Sequence, residues 1–137
     1  MINIRFAYKT AVPFLLFFFV ISGCKSFKKD AIRVVSLYVY AYSTGNKDIL
    51  KNIFSNKLLK SYPELILFFN SPDFQRTKSE LHNHRVIVTA IKKVDSQRYR
   101  VNYQLILADK KSYSDTLYLV EENDKLKIDE TGMFAYR

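Results

Sequence analysis

Asp115 is the carboxylate whose place in the sequence best suits acid–base chemistry. It shares parity with Leu117 and Leu119, so on a strand the three side chains lie on one face. Burial in an apolar pocket moves a carboxyl pKa toward neutrality, where proton transfer is efficient. Tyr103 and Tyr118 offer hydroxyl donors nearby. The alternative, which we favour, places Asp115 at a strand edge and the tyrosines in the core, so we assign no catalytic residue.

His82 and His84 lie two residues apart, a spacing that puts two imidazoles on one face of an extended strand. Imidazole nitrogens bind zinc well, and Glu80 has the same parity. The sequence offers no clear third ligand, and two exposed histidines before a strand explain the spacing equally well. We therefore predict no metal site and no cofactor.

Cys24 is the single cysteine and follows an apolar run at residues 11–21. Arg5 and Lys9 precede the run, which is the layout of a secretory signal. An uncleaved anchor is the alternative, but the run is shorter than the roughly 20 residues that cross a bilayer. Ile-Ser-Gly-Cys resembles the lipobox of bacterial lipoprotein signals. The resemblance implies a diacylglyceryl group on the Cys24 thiol, cleavage after Gly23, and often acylation, for instance by palmitate, of the new amino terminus.

These features predict a signal peptide (1–23), a lipidated basic tether (24–29) and a single domain (30–137). Two or three acyl chains hold a protein firmly on a membrane. We expect a lipid-anchored protein of the cell envelope, on the outer membrane if the bacterium has one. Once Cys24 is modified, no thiol remains for a disulfide or a cysteine nucleophile.

The charge and the glycine content exclude further classes of function. The chain has 22 basic and 13 acidic residues, a formal net charge of +9. Because the basic residues are scattered, we predict no nucleic-acid binding, although Lys25, Lys28 and Lys29 lie where anionic lipid attracts cations. No glycine-rich phosphate loop or nucleophile elbow occurs, and the chain has only 3 glycines. The absence of a phosphate loop and of a nucleophile elbow favours binding over catalysis.

A helical period begins after Asp30, which is a candidate N-cap. The apolar residues recur at spacings of three and four and predict one buried helix face: Ile32, Val35, Val39 and Tyr42. The β-branched valines make a strand the competing interpretation.

Two more helices are predicted before residue 81. One covers residues 47–54, with Gly45 as the turn and Asn46 as the N-cap. The other contains the wholly apolar residues 65–69, which are either buried between layers or exposed for a partner. Its start carries an N-cap, an early proline and a capping-box acid: Ser61, Pro63 and Glu64.

After residue 81 the apolar period changes to two, which predicts strands. The expected strands are residues 85–94, 98–107, 112–121 and 125–129, joined by short polar turns. Such strands form an antiparallel meander. Helices followed by a sheet predict an α+β fold, with the N-terminal helices packed on the apolar face of the sheet.

The order of these parts resembles the NTF2-like superfamily, and more narrowly its small bacterial lipoproteins of unknown function. The likeness covers the helix with its Gly-Asn-Lys-Asp turn at residues 45–48, the long alternating strand, and the closing hairpin at 119–129. Asp124 and Leu126 stand where those lipoproteins commonly have glycine and tryptophan. The resemblance implies a curved sheet wrapped against helices as a cone, and it brings no activity with it.

These observations predict a membrane-anchored, non-enzymatic domain that binds an apolar small ligand or an envelope protein. The sequence also leaves open whether the protein forms a homodimer. An NTF2-like enzyme with an acid–base site in the cone and a structural scaffold of the envelope are the alternatives. The residues expected to line a ligand pocket are Val35, Val39, Tyr42, Phe68, Tyr103, Leu105, Asp115 and Leu117.

Overall fold

A computed structural model describes the backbone of residues 8–131 and the side chains of residues 26–131. The chain divides into two units, Met1–Asp30 and Ala31–Arg137. Within the described part, no helix has both the length and the apolar character needed to cross a bilayer. The predicted cleavage at Gly23 and lipid attachment at Cys24 lie outside the described side chains, so both stay predictions.

Helix α1 spans Tyr8–Thr44, so the prediction that a helix begins at Asp30 is wrong. An N-cap needs a non-helical backbone, and the backbone on both sides of Asp30 is helical. The Asp30 carboxylate accepts a hydrogen bond of 3.5 Å from the Ser26 hydroxyl, one turn earlier.

The buried face of α1 in residues 31–44 is close to the predicted one. Ile32 is the exception, because it is exposed and the buried stripe passes through Ala31 instead. Successive helical residues differ in direction by about 100°, so Ile32 points away from that stripe. The stripe has spacings of four, three and four: Ala31, Val35, Tyr38 and Tyr42.

The junction after α1 follows the predicted Gly-Asn pattern. Gly45 has φ +75°, and its N–H donates to the Ala41 carbonyl at 2.9 Å. Asn46 is the N-cap of α2 (Lys47–Ile53), and its side chain accepts from N–H groups of the first turn. A Cβ at Gly45 would lie 3.2 Å from the Phe74 ring, so both the positive φ and the close contact require glycine.

Three short helices and one 3₁₀ turn complete the helical part. They are α3 (Asn56–Ser61), α4 (Glu64–Leu67), the 3₁₀ turn Phe68–Asn70 and α5 (Pro72–Glu80). Ser61 ends α3, so the prediction that it caps a helix is wrong. The serines that cap in this region are Ser55, whose hydroxyl accepts from the Leu58 N–H at 3.0 Å, and Ser71, whose hydroxyl accepts from the Phe74 N–H at 3.3 Å.

The apolar residues 65–69 are divided between core and surface, whereas the sequence suggested one or the other. Leu65 and Phe69 are buried, and Leu67 is 62% exposed. A short helix that packs along one side leaves its opposite side in solvent even when every residue is apolar.

The four strands form one antiparallel sheet in the order β1-β2-β3-β4. Each boundary lies within one residue of its prediction: β1 (Arg85–Lys93), β2 (Arg98–Ile106), β3 (Ser112–Glu122) and β4 (Lys125–Glu130). The expected α+β fold, with helices followed by a four-stranded antiparallel sheet, is confirmed.

The turn between β3 and β4 explains how the chain does without a glycine there. Glu122 pairs with Lys125, and the two residues between them, Asn123 and Asp124, have φ values of 53° and 59°. A two-residue hairpin turn of this type needs two positive φ angles, which Asn and Asp tolerate better than most residues.

Candidate functional site

Most of the predicted pocket residues meet between α1 and the sheet, where they are packed rather than open. Six of them are 0–2% exposed: Val35, Val39, Tyr42, Tyr103, Leu105 and Leu117. A space large enough for water beside a side chain would give that side chain accessible surface. The six therefore form part of a filled core in this structure, and Asp115 and Phe68 lie half-buried at its margins.

Four polar side chains share this interior: Tyr38, Tyr42, Tyr103 and Asp115. The Tyr103 hydroxyl donates to the Asp115 carboxylate at 3.1 Å, directly across the β2–β3 pair. The Tyr38 and Tyr42 rings meet edge to face, with centroids 5.1 Å apart. The site is thus a buried cluster of phenols that reaches a half-exposed carboxylate.

Burial dominates the electrostatics of the three phenols. It raises the pKa of Tyr38 well above the usual value, and neighbouring Tyr42, Tyr103 and Asp115 raise it further. Burial likewise raises the pKa of Tyr42. The pKa of Tyr103 is raised first by burial and then by the Asp115 charge and hydrogen bond. All three phenols are therefore neutral at physiological pH.

Asp115 lies on the predicted face of β3, and both of its carboxylate oxygens have partners. One accepts the Tyr103 hydroxyl, and the other accepts the Thr116 backbone N–H at 2.8 Å. Tyr118 does not join them, because it lies on the opposite face, under the Arg98 guanidinium at 4.6 Å from the ring centroid. The arrangement fixes Asp115 as a hydrogen-bond acceptor for the core.

Phe68 belongs to an aromatic cluster at the end of α1. Its ring lies 6.4 Å from Tyr42 and 5.9 Å from Phe74, measured between centroids. Phe69 contacts the same two rings at 5.2 Å and 4.5 Å. These contacts attach the 3₁₀ turn and α5 to α1, so Phe68 contributes to packing in this structure.

The histidine pair does not have the geometry that a shared metal needs. Asn83, between them, has φ 57°, so His82 and His84 lie on a turn before β1 and not on an extended strand. His84 Nδ1 lies 2.9 Å from the Leu81 carbonyl, which uses one ring nitrogen. Among the described residues, no group of three metal-ligating side chains comes together.

Tyr38 is the member of the site that sequence reasoning missed. It lies three residues after Val35 and four before Tyr42, so helical spacing could have placed it on the buried face. Its electrostatic interactions with Tyr103 and Asp115 depend on how the helix lies on the sheet, which a local pattern does not contain.

The core-facing surface of the sheet has two parts with different burial. The closed side consists of residues that are 0–1% exposed: Val101, Tyr103, Leu105, Leu117, Leu119 and Ile128. The open side consists of Val86, Val88 and Ile91 on β1, which are only half-buried. Each residue of the open side stands directly opposite a closed-side residue of β2.

The two edges of the sheet differ in the same way. Beside β4, Phe54 forms a parallel bridge with Ile128, and the Ser55 N–H donates to the Ile128 carbonyl at 2.8 Å. Asp129 of β4 holds this covering segment through the Ser55 hydroxyl at 3.0 Å and Lys57 Nζ at 3.1 Å. Its carboxylate also lies 3.9 Å from Nε of Arg98 on β2. Within residues 8–131, no segment pairs with the outer edge of β1.

No protein-family model matches the chain. No curated protein matches it either. The chain is similar in structure to an NTF-2 like protein of unknown function from Shewanella oneidensis MR-1, whose crystal structure has been solved. The TM-score is 0.48, and the identity is 14% over 74% of this chain and 93% of that chain. That protein is itself of unknown function, so the likeness assigns no activity to this chain.

Proposed function

We propose that this protein is a lipoprotein anchored through Cys24 outside the cytoplasm, and that its α+β domain is a non-enzymatic module that binds another protein. The observation that carries the binding part is the filled core, because six of the eight residues predicted to line a pocket are 0–2% exposed. The anchor rests on the sequence alone, through its resemblance to a lipobox.

The filled core supports protein binding over the uptake of an apolar ligand. A small-molecule pocket usually encloses about 300–1,000 Å³. Side chains such as Val35, Leu105 and Leu117 have 1% or less of their surface accessible, so nothing of that size borders them. Recognition is then left to the surface, and the sheet edge is the natural place for another chain to bind.

The polar cluster supports a structural role over acid–base catalysis. A catalytic base needs a lone pair within hydrogen-bond reach of a substrate proton. Each oxygen of Asp115 accepts one hydrogen bond within the fold, from Tyr103 or from Thr116, so the carboxylate is oriented toward its own domain. Burial keeps the neighbouring phenols protonated, which removes them as bases.

Native mass spectrometry of the full chain, released from detergent after expression in its own host, tests this function. We expect a mass that matches cleavage before Cys24 plus acyl groups, with no further small molecule. A Cys24→Ser variant should keep the signal peptide. A retained apolar molecule that survives release would overturn the protein-binding proposal, and normal cleavage of Cys24→Ser would overturn the anchor.

A further inference from the structure

The outer edge of β1 is a row of backbone hydrogen-bonding groups that no segment of residues 8–131 pairs with. β1 has nine residues, and the six from Val86 to Ile91 are uncharged and rich in valine and isoleucine. Within residues 8–131, its only strand partner is β2. Unpaired edges of this composition pair readily with another extended chain.

The open side gives this edge apolar contacts as well. Val86, Val88 and Ile91 face the core, but they remain half-buried, whereas their partners on β2 are buried. A strand added outside β1 would place its own alternate side chains beside these three. Its apolar residues would thereby cover surface that the fold leaves partly in water.

The charges around the edge favour an acidic occupant. Arg85 stands at one end of β1, and Lys92 and Lys93 stand at the other. Lys92 lies directly opposite Arg100 of β2, and both side chains are exposed. Like charges directly across a strand pair are unfavourable. Neither residue has a salt bridge within the described part of the chain, so an added carboxylate would relieve the repulsion.

We propose that an extended segment of a partner protein, apolar at its centre and acidic beside Lys92 and Arg100, adds to β1 as a fifth strand. This inference rests on the proposed function and names the surface and the chemistry of the partner. Main-chain hydrogen bonds would supply the attachment, and the side chains at alternate positions would supply specificity.

A second copy of the chain fits this edge less well. Two copies that pair as antiparallel strands about a twofold axis bring Arg85 of one copy to the end of β1 that carries Lys92 and Lys93 in the other. The same repulsion occurs at both ends, and the whole chain carries a net charge of +9. The edge therefore disfavours self-pairing and accepts a chain of opposite charge.

The length of the docked segment is limited by a bulge. The β1–β2 register shifts between Val88 and Ala90, so regular pairing is available on either side of Thr89 for about four residues. A short strand addition of this kind gives modest affinity and depends strongly on the charged end.

A display library of random twelve-residue peptides, selected against the full chain in detergent micelles, tests the proposal. We expect enriched peptides to be net acidic and rich in β-branched residues. Bound peptide should shift the amide resonances of β1 more than those of the helices. The exposed substitution Lys92→Glu should weaken these peptides about tenfold at low salt, and less at 0.5 M salt because charges are screened. The matched control is Lys60→Glu, at an exposed position of α3, which should leave peptide binding unchanged.

Three results would overturn the proposal. The first is the absence of acidic enrichment, or of any enrichment. The second is peptide binding that Lys92→Glu leaves unchanged, or peptide-induced amide shifts that fall on the helices. Either result would leave the proposed protein binding intact but would place it on another surface. The third is a dimer through β1, seen by sedimentation and strengthened by Lys92→Glu, which would make a second copy the occupant.

Discussion

The closed and open sides of the sheet differ although their strands have similar composition. On the closed side, Tyr103 of β2 and Asp115 of β3 interact with Tyr38 on the buried face of α1, and the segment after α2 pairs with the edge of β4. The valine and isoleucine side chains of the open side are only half-buried. One edge is fastened by a carboxylate, whereas the other has no strand partner within residues 8–131 and is flanked by cations. This difference is the ground for proposing recognition at the β1 edge and stability from the closed side.

Alkaline pH should act most strongly through the buried tyrosines beside the closed side and give the largest effect. Tyr38, Tyr42 and Tyr103 have raised pKa values in the folded state, so their stabilisation is complete below pH 10 and is lost as pH rises toward the folded values. Each tyrosine costs about 1.4 kcal/mol per pH unit above 10, so the free energy of unfolding should fall by about 4 kcal/mol at pH 11. Urea titrations at pH 9 and pH 11 measure this difference.

Tyr38→Phe is the matched variant for that experiment, since it removes one of the three ionisable groups. It should flatten the decline by about a third, whereas Tyr40→Phe, at an exposed position of the same helix, should leave the decline unchanged. Equal slopes for all three proteins would mean that the buried phenols do not control alkaline stability.

Removing the Asp129 charge should loosen the covered edge. The Asp129 side chain is 9% exposed and accepts from Ser55 and Lys57 while facing Arg98. Asp129→Asn should cost about 2 kcal/mol in unfolding free energy, because the buried Ser55 hydroxyl loses a charged acceptor, and the partly exposed Lys57 and Arg98 lose an opposite charge. Thermal unfolding together with hydrogen exchange of the β4 amides measures the loss.

The control for Asp129→Asn is Asp48→Asn, since Asp48 pairs with Lys51 at 3.9 Å in solvent. Exposed pairs of this kind contribute about 0–1 kcal/mol. If both variants lost the same stability, the distinction between a fastened edge and an ordinary surface pair would fail.

The sequence predicted the strands well because their signals are local. Alternation in residues 98–107 and the polar turns set the strand ends within one residue. The helices were harder, since Asp30 and Ser61 have the chemistry of caps but lie where the chain continues or ends a helix. Local chemistry lists residues able to cap, and the tertiary structure decides which of them do so.

The sequence predicted which residues line a pocket but left open whether a pocket exists. Tyr42, Tyr103 and Leu117 were predicted to line it, and the structure buries all three in a packed core. Whether that interior is a pocket or a packed core depends on how closely α1 approaches the sheet, which no periodic pattern reports. The free edge of β1 was likewise hidden, because the pairing of strands with segments far apart in the chain is not local.

A pair of identical substitutions should separate the two sides directly. Val101→Ala on the closed side removes a fully buried side chain and should cost about 2 kcal/mol, through lost burial and the cavity left behind. Val88→Ala on the open side removes a half-buried one and should cost about 1 kcal/mol. Chemical denaturation of both variants gives the difference, and equal costs would contradict the division into closed and open sides.

The smallest effect on stability belongs to Lys92→Glu, and its sign is the informative part. Replacing one member of the Lys92–Arg100 pair turns a cross-strand repulsion into an attraction, so the unfolding free energy should rise by about 0.5 kcal/mol at low salt. The gain should shrink at 0.5 M salt, because both side chains are exposed. Arg100→Glu should give a similar gain, and the double variant Lys92→Glu/Arg100→Glu should return stability to that of the parent chain.

A Lys92→Glu variant that is more stable and yet binds acidic segments less well would show that this end of β1 keeps a local repulsion where a partner is recognised. A loss of stability in Lys92→Glu would show instead that the lysine already has a role within the fold, and the free edge would lose its electrostatic argument.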